Sequence, residues 1–162
     1  NTEALVEEAA SLANFRQNAA TRKILHLATH GRYREDAPLF SSLLLADGEL
    51  TVHELLNMEL QASLVTLSAC ETGLGALSGG DEVQGLSRAC LYAGASSLAL
   101  SLWRVDDRAG QMLMQEFYQG LLQGLGKGAA LRQAQLQLMR RPAYSHPFYW
   151  APFVLIGDSG AL

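Results

Sequence analysis

Two apolar stretches of this sequence each run out onto a residue that can hold or move a proton. Lys23 to Thr29 (KILHLAT) is followed by His30-Gly31, and Ser63 to Ala69 (SLVTLSA) by Cys70-Glu71-Thr72-Gly73. Together they make a nucleophile and its base. A thiol reacts as its thiolate, a free cysteine titrates near about 8.5, and a neighbouring imidazolium lowers that value while serving as general acid for a leaving group. Gly73, Gly75, Gly79 and Gly80 follow the cysteine, so a substrate backbone could come close to it, and mobility is expected in Gly73 to Gly80. Taken alone, Cys70 reads equally well as a small buried hydrophobe, and the residue types leave both readings open.

The elements that must carry these residues can be read from periodicity. KILHLAT and SLVTLSA are too short and too continuously apolar for helices, and suit strands buried on both faces. Ser96 to Leu102 and Phe153 to Ile156 are further strand candidates. Glu3 to about Ala19 has the spacing of an amphipathic helix. Asp47-Gly48 between apolar residues marks a hairpin, and Thr51-Val52-His53-Glu54 has the form of a capping box opening a short helix. Asp81 can cap a helix that sets Val83, Leu86, Cys90 and Leu91 on one face and stops at Gly94. Asp106 or Asp107 opens a helix through Leu122, and Gly128 to Arg140 forms another before Pro142. Buried strands alternating with helices predict an α/β sandwich around a mostly parallel sheet. In such sheets chemistry sits beyond the carboxyl ends of the strands, which singles out His30-Gly31, Cys70 to Gly73, and Trp103 to Asp107.

Composition narrows the function classes. The 162 residues carry 12 Lys plus Arg against 16 Asp plus Glu, a formal charge of −4, which argues against a nucleic-acid surface. Hydrophobic residues make up 49% and charged residues 17%, the balance of one folded domain spanning residues 1–162 rather than of a disordered chain. No apolar run is long enough to cross a bilayer, so no membrane partner is expected. Two cysteines form neither a disulfide framework nor a Cys-x-x-Cys zinc motif; a cytoplasmic setting without cofactor or metal is the expectation. Because residue 1 is Asn, the chain reads as an excerpt of a longer one.

Beyond spacing, the segments themselves resemble a family. HLATHG at His26 to Gly31 and LSACETG at Leu67 to Gly73 are similar to the two signature stretches of CHAT domains. The likeness continues from Gly80 to Asp107 and from Ser145 to Asp158, covering most of the chain from Ile24 onward. CHAT domains stand with caspases and separases among cysteine peptidases. The resemblance therefore implies a caspase-like three-layer α/β/α sandwich, with the family's first strand not found ahead of the helix near Glu3. It implies His30 and Cys70 as catalytic dyad and a protein or peptide substrate. It also implies a place at the C-terminal end of a longer chain that carries helical repeats. On that mechanism the Cys70 thiolate attacks a peptide carbonyl, His30 protonates the departing amine, and the backbone amides of Gly31 and Cys70 are candidates for the oxyanion site. By likeness to separases, Asp107, or in second place Asp106, would receive a basic P1 side chain; the competing reading is that either residue only caps the following helix. Two other readings stay open: a module of the same fold without turnover, acting as a scaffold, and a thiol-dependent transferase or esterase.

Several further signals favour bland readings. His26 reads as a satisfied core histidine, His53 as a helix-surface residue, His146 as a turn residue and Cys90 as core. Ser68 and Glu71 flank the candidate nucleophile with roles left open. Gly73 to Ser78 falls short of a dinucleotide fingerprint, and Gly126-Lys127 lacks the rest of a phosphate loop. Gly157-Asp158-Ser159-Gly160 reads as chance likeness to a serine-protease motif. Tyr144, Phe148, Tyr149 and Trp150 fit core packing or a rim of the substrate cleft, with packing the favoured reading.

Overall fold

The computed structural model describes residues 3–69 and 81–162. In chain order it contains α1 (Leu12–Asn18), β1 (Ile24–Thr29), β2 (Gly31–Arg32), β3 (Ser42–Leu45), β4 (Gly48–Thr51), α2 (Val52–Leu56) and β5 (Leu64–Ala69). It continues with α3 (Asp81–Tyr92), β6 (Ser97–Ser101), α4 (Asp107–Leu122), α5 (Lys127–Met139), α6 (Pro147–Trp150) and β7 (Phe153–Gly157). The main sheet has the order β1-β5-β6-β7, with β1, β5 and β6 parallel and β7 antiparallel. A small antiparallel sheet, β2-β3-β4, stands beside it.

Alternation along the strands divides the core into two layers. Val65, Leu67, Leu98 and Leu100 pack with Val52, Leu55, Leu86 and Cys90 of α2 and α3 on one face. Leu64, Ala99 and Phe153 pack with Leu113, Phe117, Leu131 and Leu138 of α4 and α5 on the other. This is the three-layer α/β/α arrangement of a caspase-like fold. Parallel strands covered on both faces lose both sets of side chains from water, and β6 is buried along its entire length.

β1 departs from that pattern. It pairs with β5 alone among the described strands, and its residues are half-buried or exposed rather than buried on both faces. Its apolar sequence was therefore a correct signal for a strand but not for its place in the sheet. The helix expected over Glu3 to Ala19 is also shorter: Glu7–Ala9 is a single 3-10 turn, and α1 begins only after Ser11. Ser11 is extended at φ −91° and ψ 156°, and its hydroxyl accepts from the Asn14 amide at 3.1 Å, so the cap overrides the continuous apolar spacing. Asp47 in the two-residue turn between β3 and β4 accepts from the Leu12 amide at 2.5 Å and holds the start of α1.

The other local expectations follow their residues closely. Thr51 and Glu54 form both halves of a capping box on α2. Cys90 is a core residue, and burial pushes its thiol up to about 12. α3 stops at Gly94, where φ is +111° and a Cβ would lie 2.2 Å from the Leu60 carbonyl oxygen, so only glycine fits. Tyr144, Tyr149 and Trp150 pack against the α4–α5 core, whereas Phe148 is exposed, contrary to the core reading of its side chain; its carbonyl accepts from Trp103 Nε1 at 3.1 Å. No helix among the described residues is long and apolar enough to cross a membrane.

Candidate functional site

The strand register fixes what is brought together. β1 and β5 run in step, Ile24 opposite Leu64 through Thr29 opposite Ala69, so His30 and Cys70 each come one residue after the last register pair. Cys70, with Glu71 and the glycine-rich stretch to Gly80, lies outside the described residues; its roles as nucleophile and amide donor remain expectations from sequence. His30 is exposed, and its carbonyl accepts from the Leu44 amide at 2.8 Å. The Thr29 hydroxyl donates to the Leu44 carbonyl, so the end of β1 is stitched to β3 from both sides of the peptide. Gly31 is buried and pairs with Leu43 in the small sheet.

A groove of about 870 Å³ opens between this end of β1 and the length of α4. His30 and Ser68 line it from the sheet, and Asp107, Gln111 and Gln115 line it from the helix. The two acids offered by sequence separate here. Asp106 is the N-cap of α4, its carboxylate accepting from the Ala109 amide at 2.9 Å. Asp107 is the first residue of the helix, exposed, and reaches the groove that also holds His30. The cap reading thus belongs to Asp106 and leaves Asp107 free of it. A carboxylate beside an open groove can form a charge-assisted, bidentate contact with a guanidinium.

His26, which lines the same groove, is an exposed residue and not a core histidine. Its Nδ1 lies 3.0 Å from the Tyr118 hydroxyl. Packing around the ring lowers its pKa, which favours the neutral form at physiological pH. The Tyr118 hydroxyl donates to Thr66 Oγ1 at 2.9 Å. Burial raises the tyrosine pKa, opposed by that hydrogen bond. Thr66 and Tyr118 were missed by sequence reasoning. A usable signal did exist: Asp107, Gln111, Met114 and Tyr118 recur every three or four residues, one helical stripe continuing from a residue already singled out.

The remaining candidates find structural roles. His146 caps α6 through Nδ1, 3.2 Å from the Phe148 amide. His53 and the ion-paired Arg16 and Glu54 line a separate depression of about 590 Å³, away from the strand ends. Asp158 accepts from buried Lys127 at 3.1 Å, so the Gly157 to Gly160 segment is tied to the start of α5 rather than to a catalytic serine. No group of three or more metal-ligating side chains gathers among the described residues.

Comparison with known proteins adds a family. The model of the family described as CHAT domain matches residues 1–158. Tetratricopeptide repeat protein 28 of Homo sapiens is 37% identical over 131 residues, which are 81% of this chain and 5% of that protein. The protein of the same name from Mus musculus is 38% identical over 109 residues, 67% of this chain and 4% of that protein. The chain therefore spans only a small fraction of the length of these curated relatives.

Proposed function

From a chain that belongs to the CHAT domain family, a caspase-like, peptidase-related family, we propose a single-domain cysteine endopeptidase in which Cys70 is the nucleophile and His30 its acid–base partner. The observation that carries this reading is the parallel register of β1 and β5, which ends with the residues directly before His30 and Cys70. A Cys70 thiolate would attack the scissile carbonyl, His30 would protonate the leaving amine, and water deprotonated by His30 would then release the acyl group. The amides of Gly31 and Cys70 are the proposed oxyanion donors. Asp107, on the groove wall with His30, is the proposed partner of a basic P1 side chain. Asp106 takes no part in that pocket because its carboxylate is committed to the helix cap.

The substrate is a protein or peptide. The relatives' name supports a longer chain in which tetratricopeptide repeats, a partner-binding architecture, hold the substrate for the domain. The same name supports a second reading, a scaffold that keeps the fold without turnover.

The deciding experiment is labelling of the 162-residue chain by peptidyl electrophiles with Arg, Leu or Asp at P1, beside Cys70→Ala and His30→Ala. Modification at Cys70 that requires His30 is the expected outcome. Cys70 labelling that is equal with and without His30, or absent in the longer chain as well, would reject the peptidase and favour the scaffold.

A further inference from the structure

The Tyr118 hydroxyl touches both strands that lead to the proposed dyad, and it touches them at one register pair. His26 of β1 stands opposite Thr66 of β5, and the hydroxyl meets Nδ1 of the first at 3.0 Å and Oγ1 of the second at 2.9 Å. His26 precedes His30 by four residues, and Thr66 precedes Cys70 by four. We propose that Tyr118 is a positioning residue, a clamp from α4 that fixes β1 against β5 at equal distance from His30 and Cys70 along their chains. This rests on the peptidase reading and deepens it.

Hydrogen-bond accounting supports the assignment. A phenol has one proton and can also accept, so donation to Thr66 Oγ1 leaves the hydroxyl oxygen able to accept from His26 in its Nδ1–H tautomer, and one hydroxyl can serve both partners at once. Thr66 is fully buried, and a hydroxyl there needs a partner. The backbone ladder sets the register of β1 on β5 from one edge among the described strands, and just past it the His30 carbonyl is tied to the Leu44 amide. Between those backbone ties, the tilt of β1 relative to β5 depends in part on side-chain ties. Four residues of extended chain span about 13 Å, so a small rotation at the level of His26 becomes a displacement of order 1 Å at the strand end. Misplacement of that size at a reacting pair costs up to about a hundredfold in rate.

The test is the rate of Cys70 alkylation by iodoacetamide as a function of pH in the parent chain, Tyr118→Phe, Thr66→Val, Thr66→Ser and His30→Ala, each held below its melting transition. Tyr118→Phe keeps the ring and its packing while removing only the hydroxyl. The expected result is a loss of about tenfold in the His30-dependent rate. The pH midpoint should move upward toward that of a free thiol, near about 8.5. Thr66→Val should do the same, and Thr66→Ser, which keeps the hydroxyl, should restore both. A general loss of stability would not move the midpoint. Tyr118→Phe with the parent's rate and midpoint overturns the clamp and leaves the peptidase reading standing. A parent chain whose Cys70 reactivity is indifferent to His30 overturns both.

Discussion

Asp106 and Asp107 are adjacent, identical in chemistry, and assigned opposite roles by the fold. That makes them a sharp test. Asp106→Ala removes the carboxylate that accepts from the Ala109 amide at 2.9 Å, and loss of such an N-cap costs about 1 kcal/mol, within a range of about 0.5–2. For a chain of 162 residues, at about 2.1 cal/mol/K per residue, the unfolding entropy is about 0.34 kcal/mol/K, so the melting temperature should fall by about 3 °C. Asp107→Asn keeps the cap and loses only a first-turn charge, worth about 0.3–1 kcal/mol through the helix dipole, a shift of about 1–3 °C at low ionic strength that shrinks with added salt. Preference for a substrate should show the reverse. A charge-assisted hydrogen bond to a basic side chain is worth about 1.5–3 kcal/mol, or about ten- to a hundredfold. Asp107→Asn should therefore cut labelling by an Arg electrophile by that factor relative to a Leu electrophile, while Asp106→Ala leaves the Arg-to-Leu ratio unchanged. The measurements are thermal melting at two salt concentrations and electrophile labelling followed by intact mass. A collapsed Arg preference in Asp106→Ala with an intact one in Asp107→Asn would refute the division of roles.

Other expectations are independent of the peptidase reading. The chain has two cysteines, and burial holds the Cys90 thiol near about 12, so a native thiol titration at neutral pH should omit Cys90 and recover it only on denaturation. Asp158→Ala should destabilise more than Lys127→Met, because the first leaves an ammonium that is 1% exposed with only the Ala161 carbonyl as partner among the described residues, whereas the second leaves an exposed carboxylate in water; chemical denaturation orders the two. The Gly160 amide, aided by Lys127, holds Asp158 below the ordinary carboxylate range. Burial alone would raise Glu54, but the Thr51 amide and Arg16 together lower it. Both carboxyls thus contribute stability above their unfolded pKa values, near about 4, and that contribution should disappear as pH falls through the lower folded values; urea midpoints between pH 5 and 2 read it. Gly94→Ala should lower the denaturant midpoint markedly, since its Cβ would sit 2.2 Å from a backbone oxygen in a left-handed conformation that alanine disfavours.

Local physics made much of this protein legible from its residues. The capping box at Thr51 and Glu54, the stop at Gly94 and the buried strands β5 and β6 depend on interactions within a few residues or on a continuous apolar pattern, and sequence displays both. His30 and Cys70 could be singled out because each directly follows an apolar strand segment and the two side chains together make a base and a nucleophile, although Cys70 alone reads equally well as a small buried hydrophobe. Family-specific segments then gave the kind of fold. Three features escaped that reading because they depend on what lies opposite in space. β1 carries the composition of an interior strand yet borders a groove, since strand order is set by pairing partners and not by the strand's own residues. Asp106 and Asp107 differ only in which backbone amide and which opening each meets once α4 is docked. His26 and Tyr118 are 92 positions apart, and no local pattern couples them; only the packing of α4 across β1 and β5 turns a histidine read as core and an unremarked tyrosine into a single hydrogen-bonded link.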